Sequence, residues 1–104
     1  MMRSFLLGCI LVLLVAGVAT AVLGGGDITF SVSGAGNVLF SHENHAGSRK
    51  IGCKECHYKV FINRANHKTT TMAEMQTGRS CGTCHNGKRA FSVADPASCG
   101  KCHH

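Results

Sequence analysis

Hydrophobic positions are concentrated at the N-terminus of the chain. Residues 4–26 carry no charge, and residues 5–19 form an unbroken run of apolar residues and glycine. Met1-Met2-Arg3 precedes this run as a short positive segment, and Ala19-Thr20-Ala21 follows it as a small-x-small cleavage pattern. This layout predicts a secretory signal peptide over residues 1–21, with an uncleaved membrane anchor as the alternative. Both interpretations place the rest of the chain outside the cytoplasmic membrane, which predicts a periplasmic protein.

The pattern that follows predicts a flexible joint and then a β-hairpin. Residues 22–26 end in three glycines, which is typical of a Gly-rich linker. Residues 27–32 alternate between apolar and polar side chains in the manner of a strand. Residues 33–36 have the composition of a turn, and residues 37–40 predict the returning strand.

Little regular structure is predicted beyond the hairpin. Residues 70–78 predict a short helix that ends at a glycine, and residues 86–98 predict mostly loop. The fold class is therefore small and mostly irregular or α-helical, with an N-terminal two-stranded hairpin. The chain has 104 residues, with five Phe, one Tyr and no Trp, so it can build only a thin core. It also has seven Cys and seven His, which indicates a fold organised by something that these residues bind.

Three copies of the motif Cys-x-x-Cys-His occur after the signal segment, at residues 53–57, 81–85 and 99–103. This motif is the attachment signature of c-type haem. Two thiols on one helical turn can reach the two vinyl groups of one porphyrin edge, and the adjacent imidazole can then bind the iron. The motifs use all the cysteines that follow the signal segment, namely Cys53, Cys56, Cys81, Cys84, Cys99 and Cys102. The sequence therefore predicts three covalently bound haems c.

Other uses of these cysteines explain the pattern less well. A disulfide within Cys-x-x-Cys closes a very small loop and gives little stabilisation, and it needs no histidine after the pair. Zinc is the main competing interpretation, but three cysteine pairs fit four-cysteine sites poorly. A thioredoxin-like dithiol would need one motif on a strand–helix unit.

The histidines fit a set of iron ligands. His57, His85 and His103 would bind the irons from the proximal side, and His42, His45 and His67 would complete three bis-His sites. His104 remains as a solvated C-terminal residue or as a contact to a neighbouring molecule.

An iron with two protein ligands has no open position for a substrate, so the predicted function is electron transfer by Fe(III)/Fe(II) cycling and not catalysis. Two alternatives stay open. One is a structural wire or assembly subunit of a larger multihaem chain, and the other is a haem redox enzyme if the third iron has an open site.

The sequence resembles a known family of cytochromes. Phe40-Ser41-His42-Glu43-Asn44-His45, followed by the three motifs, is similar to the tri-haem cytochromes of the cytochrome c-seven group. Residues 71–93 closely resemble the tri-haem domains repeated in larger nanowire cytochromes. The likeness covers about residues 27–104. It implies a multihaem cytochrome c fold, with a hairpin and short helices around three haems. It also implies that His42 binds the iron at residues 53–57 and that His45 binds the iron at residues 81–85.

The third haem is where the chain departs from that family. Small periplasmic members place a distal histidine four residues before the second motif, where this chain has Thr77. The resemblance to the nanowire domains implies a methionine on this iron, with Met72 slightly preferred and Met75 as the alternative. His67 competes because of its affinity for iron. A Met/His haem is expected at a higher potential than its bis-His neighbours.

The formal charge of +6 is that of the polypeptide alone, and bound haem would add negative charge. Six propionates would nearly neutralise the mature chain. Lysines beside the motifs are expected to pair with propionates or to form a docking rim. Nucleic-acid binding is disfavoured, because stacking aromatic residues at regular spacing are absent. The expected partners are redox proteins, namely other cytochromes and membrane quinol-oxidising or outer-membrane complexes, with a possible membrane tether at the N-terminus.

Overall fold

The computed structural model describes residue 17 and residues 19–61 and 68–104. Most of the predicted signal peptide therefore lies outside the described residues, and so does His67. Within the described ranges, no helix is both long enough and apolar enough to cross a membrane.

The hairpin consists of two antiparallel strands, β1 (Ile28–Phe30) and β2 (Val38–Phe40). β-branched and aromatic side chains favour this extended backbone. The N–H of Val32 donates to the side-chain oxygen of Asn37 at 3.3 Å and so closes the turn. The predicted hairpin is confirmed, but β1 ends two residues early, because Val32 bonds a turn side chain instead of the partner strand.

The C-terminus of the chain adds to the other edge of β2. His103 forms an antiparallel bridge with Val38, and the N–H of His104 donates to the carbonyl of Asn37 at 2.9 Å. The turn approaches this segment closely at Gly36, whose φ angle is 76°. A Cβ atom added to Gly36 would lie 2.7 Å from the carbonyl oxygen of His104. The last motif of the sequence is thus held against the N-terminal hairpin.

The helical segments are all short, with six residues at most in the described ranges. They comprise a 3₁₀ turn Leu23–Gly25, a π-helical segment Glu43–Ser48, helix α1 (Cys53–Cys56), helix α2 (Met72–Gln76), and 3₁₀ helices Ser80–Thr83 and Pro96–Lys101. The predicted helix within residues 70–78 is confirmed as α2. Residues 22–26, predicted as a linker, include the first 3₁₀ turn.

Helix α2 begins with a capping box. The Thr71 hydroxyl accepts the N–H of Glu74 at 3.3 Å, and the Glu74 carboxylate accepts the N–H of Thr71 at 2.9 Å. These bonds from Thr71, and then the nearby Arg79, lower the pKa of the Glu74 carboxyl. The helix ends at Gln76, Thr77 is its C-cap, and Gly78 follows with a φ angle of 95°.

The polypeptide does not build a hydrophobic core of its own. No hydrophobic side chain is buried among the described residues, and large ones such as Leu39 and Met72 are 51% and 43% exposed. Buried apolar surface is the main favourable term in folding, so a chain that lacks it needs another source of stability. This finding agrees with the thin core expected from the composition.

Candidate haem-binding site

The three Cys-x-x-Cys-His motifs adopt one local geometry. The first forms α1, and the other two lie at the ends of the 3₁₀ helices Ser80–Thr83 and Pro96–Lys101. In each motif the N–H of the histidine donates to the carbonyl of the first cysteine at 2.9 Å. This single turn carries both thiols and leads directly into the histidine. None of the six thiols forms a disulfide within the described ranges.

The 3₁₀ helix that leads into the third motif has two residues that stabilise its N-terminus. Asp95 caps the helix by accepting the N–H of Ala97 at 3.0 Å, and Pro96 occupies the first helical position. Ser98, directly before Cys99, is only 4% exposed, and its hydroxyl has no hydrogen-bond partner among the described residues. Because buried hydroxyls are normally hydrogen-bonded, this atom fits a further group lying against the motif.

Thiols of the second motif influence the titration of thiols in the other two motifs. Burial raises the pKa of the Cys56 thiol, and the nearby Cys84 thiol of the second motif raises it further. Burial also raises the pKa of the Cys102 thiol, with a smaller contribution from Cys81. The second motif is thus electrostatically coupled to both of the other motifs.

The rings of His45 and His85 are separated by a distance that suits a metal ion between them. Their ring centroids are 6.2 Å apart, and the ring planes differ by 68°. A metal–imidazole nitrogen bond is about 2 Å long, and the ring centre lies about 1 Å beyond the nitrogen. Two rings on opposite sides of one metal would therefore have centroids about 6 Å apart. The observed separation fits an iron held between the two rings.

Hydrogen bonds orient both of these rings. The Nδ1 of His45 lies 2.8 Å from the carbonyl oxygen of Ser41, and the Nδ1 of His85 lies 3.1 Å from that of Phe91. A carbonyl only accepts, so each Nδ1 carries the proton and each Nε2 keeps its lone pair for a metal. Burial lowers the pKa of His85, and His45 lowers it further, while the Phe91 bond opposes the change. The neutral form needed for coordination is favoured.

His42 and His103 show the same arrangement at Nδ1. His42 donates to the carbonyl of Gly26, and His103 donates to that of Gly36 at 3.0 Å. Phe40 contacts both upstream histidines: its ring centroid is 5.0 Å from that of His42, with perpendicular planes, and 4.5 Å from that of His45, in a stacked arrangement. The described ring contacts join His45 to His85 and bring no second pair of histidines together.

The candidates for the third iron lie on α2 or outside the described residues. Met72 is 43% exposed, Met75 is half-buried, and His67 is not among the described residues. The Thr77 hydroxyl donates to the carbonyl of Glu74 at 2.8 Å, so it serves the end of the helix.

Several residues that shape the site were missed at the sequence level. Four backbone carbonyls orient the histidines, and a carbonyl leaves no signal in the sequence because every residue has one. Gly82 was also missed. It is buried, and a Cβ atom there would collide with the carbonyl oxygen of Met75. Its place inside a Cys-x-x-Cys pair was the available signal.

The motif Cys-x-x-Cys-His, repeated three times with one local hydrogen bond in common, defines a class of protein, the c-type cytochromes with several haems. The family model described as cytochrome c7 and related cytochrome c matches residues 38–104. The match covers more than half of the chain, and the chain belongs to this family. It is a tri-haem cytochrome that binds haem c, and members of the family are electron carriers that are typically extracytoplasmic.

Solved structures of related proteins have the same fold. A c7-type three-haem cytochrome domain is 48% identical, with a TM-score of 0.67, over 76% of this chain and 93% of that one. The C-terminal hexahaem fragment of GSU1996 is 49% identical, with a TM-score of 0.66, over 75% of this chain and 47% of that fragment. Its N-terminal hexahaem fragment is 41% identical, with a TM-score of 0.68, over 75% of this chain and 48% of that fragment. The chain thus spans about half the length of these fragments. A search of curated proteins found no match.

Proposed function

We propose that this chain is an extracytoplasmic electron carrier with one haem c attached at each motif. The attachment is through thioether bonds to the cysteine pairs Cys53 and Cys56, Cys81 and Cys84, and Cys99 and Cys102. The proximal ligands are the histidines that end the motifs, His57, His85 and His103. The common 2.9 Å hydrogen bond within each motif supports one mode of attachment for all three.

The distal ligands complete the proposal. His42 serves the first haem and His45 the second, from one short segment that begins directly after β2. Met72 serves the third haem, with Met75 and His67 as the other candidates. The observation that carries the proposal is the pair His45 and His85, whose centroids are 6.2 Å apart and whose Nε2 atoms are both left as acceptors.

The residues of the chain set the conditions for electron transfer. Bound haem supplies the Fe(III)/Fe(II) couple. Two side-chain ligands per iron exclude substrate, and the carbonyl bonds at Nδ1 raise the basicity of the imidazoles. Phe91 lies between the second and third motifs, with its ring centroid 4.3 Å from that of His85 and 4.6 Å from the Lys101 ammonium. These contacts join the second and third motifs, which favours electron transfer between the haems attached there.

Basic side chains beside the second motif indicate the charge expected of a redox partner. Lys59, Lys68, Arg79 and Arg89 line one cavity of about 610 Å³ together with Glu55 and Cys84. Glu55 lies 3.3 Å from Lys59 and 3.8 Å from Arg89, and Arg79 pairs with Glu74 at 3.2 Å, so two carboxylates offset part of the charge of these four cations. The excess charge suits haem propionates and the acidic rim of a redox partner, another cytochrome or a membrane complex. The N-terminal segment is proposed as a signal peptide or a tether.

Carbon monoxide separates the electron carrier from a redox enzyme. The reduced protein is expected to bind none at low concentration, because every iron has two protein ligands. Stoichiometric binding to one iron would contradict the proposed ligand set and would favour an enzyme. Near-infrared spectra of the oxidised protein are expected to show a methionine–iron band from one haem, and its absence would favour His67.

A second candidate function is a wire or assembly subunit. The similarity to both hexahaem fragments favours it, because each fragment is about twice the length matched by this chain. Light scattering of the purified mature protein is expected to give a monomer for a diffusing carrier. A larger stable assembly would favour the wire.

A further inference from the structure

The segment before β1 folds back onto His42. The carbonyl of Gly26 accepts the hydrogen bond from Nδ1 of His42, and the Asp27 carboxylate accepts the backbone N–H of the same residue at 3.1 Å. These bonds join residues that are 15 and 16 positions apart in the chain. Hydrogen bonds therefore hold the segment against His42.

Gly24 brings this segment against the imidazole itself. A Cβ atom added there would lie 2.5 Å from Cδ2 and 2.7 Å from Nε2 of His42. Real Cβ atoms do not approach other atoms so closely, so any larger residue must displace the ring or the turn. The φ angle of 61° at Gly24 also favours glycine.

Phe40 limits the ring from another side. Its ring meets that of His42 edge-on at a centroid distance of 5.0 Å. The backbone of Gly24, the carbonyl of Gly26 and the Phe40 ring together restrict both the rotation and the tautomer of the imidazole. Residues that orient a metal ligand in this way tune the metal as well as holding the ligand.

We infer that residues Gly24–Asp27 are a positioning element for His42, and that they set the ligand field of the haem whose iron His42 binds. This inference rests on the proposed function. It goes beyond the family match, which begins at residue 38, so this element precedes the part of the chain that the family model describes. Gly24 acts by leaving space for the ring, and Gly26 and Asp27 act by hydrogen bonding.

The chain offers a matched pair of variants for the test. Gly24→Ala adds a Cβ against the ring, whereas Gly25→Ala adds one at a φ angle of 78° with nothing within 4 Å. Both substitutions carry the strain of a positive φ angle, and only the first reaches His42. The readout is the electron paramagnetic resonance spectrum of the oxidised protein, with intact mass to count the haems.

We expect all three haems to be attached in both variants. In Gly24→Ala one of the three low-spin signals should shift or be lost, and Gly25→Ala should match the parent protein. The inference is overturned if the Gly24→Ala spectrum matches the parent, or if both variants change alike, since strain alone would then be the cause.

A second pair keeps the test open if Gly24→Ala does not accumulate. Asp27→Ala removes the acceptor of the His42 N–H, whereas Asp27→Asn keeps an oxygen in the same place. The alanine variant should shift the same signal, and the asparagine variant should restore it. No shift in either variant would overturn the inference.

His42→Ala distinguishes this inference from the proposed ligand set. The loss of one low-spin signal is expected. If all three signals persist, His42 is not an iron ligand, and the proposed function fails in that part whatever the glycine variants do.

Discussion

At the residue scale, one hydrogen bond recurs at the candidate ligands. His42, His45, His85 and His103 each direct Nδ1 to a backbone carbonyl. A carbonyl acceptor fixes the proton on Nδ1 at any pH at which the ring is neutral, and this leaves Nε2 available for iron. The acceptors come from the N-terminal turn, the start of the π-helical segment, the loop after the second motif and the hairpin turn. The path of the backbone therefore sets the orientation of these histidine rings.

Replacing His45 with alanine is expected to open one iron position. The second haem would lose its proposed distal ligand, because the imidazole whose centroid lies 6.2 Å from that of His85 is removed. Reduced His45→Ala should then bind about one carbon monoxide per molecule, and its spectrum should gain a high-spin component.

His104→Ala is the control for that variant, because the His104 side chain is exposed. Its hydrogen bond to the carbonyl of Asn37 comes from the backbone N–H, which alanine retains. This control should bind no carbon monoxide. A His45→Ala protein that also binds none would show that another side chain occupies the site.

At the element scale, helix α2 is docked on the second motif through a glycine. The motif's backbone at Gly82 approaches the carbonyl of Met75 so closely that no side chain fits between them. The capping box at Thr71 and the Arg79–Glu74 ion pair at 3.2 Å stabilise the helix at this position. The docking fixes where the methionines of α2 lie relative to the second motif.

Gly82→Ala is expected to lower stability and to disturb the third haem. The added methyl group must push α2 away from the motif, at a cost of about 1–3 kcal/mol. Chemical denaturation followed by far-ultraviolet circular dichroism would measure the loss.

Gly100→Ala is the matched control, because Gly100 holds the same position in the third motif and has nothing within 4 Å of an added Cβ. Its effect should stay within about 0.5 kcal/mol. Equal effects of the two substitutions would contradict the docking argument.

Gly36→Ala is expected to detach the C-terminal motif from the hairpin. Its Cβ would meet the backbone of His104, and it would also disturb the carbonyl that orients His103. The cost beyond backbone strain should be about 1–3 kcal/mol, measured by the same unfolding experiment.

Gly34→Ala controls for that strain, because Gly34 has a φ angle of 79° and open space around it. A Gly36→Ala protein no less stable than Gly34→Ala would show that the contact between the turn and the C-terminus does not contribute to stability.

At the scale of the whole molecule, the chain forms a framework for its cofactors. Among the described residues no hydrophobic side chain is buried. The chain instead carries three cysteine pairs within residues 53–103, and the ring centroids of His45 and His85 lie 6.2 Å apart. Such a fold should depend on haem attachment, as small metal-built domains depend on their metal. Its similarity to parts of hexahaem fragments indicates that the same framework also occurs joined in tandem.

The sequence predicts the chemistry of this molecule better than its packing. The Cys-x-x-Cys-His motifs, the hairpin and α2 are local patterns, and each can be recognised within a few residues. Contacts such as Gly24 against His42, or Gly36 against His104, join distant positions and involve only the backbone of a glycine. No side chain in the sequence therefore marks them. The third distal ligand is undecided for a related reason, because imidazole and thioether both suit the iron and local spacing does not choose between them.

Mapping haem by mass spectrometry tests the central claim most directly. After proteolysis of the mature protein, we predict three haem-bearing peptides, one for each cysteine pair, and an intact mass that includes three haems. A cysteine pair recovered as free thiols, as a disulfide or with zinc would contradict the account, because one of the three proposed haem sites would then not exist.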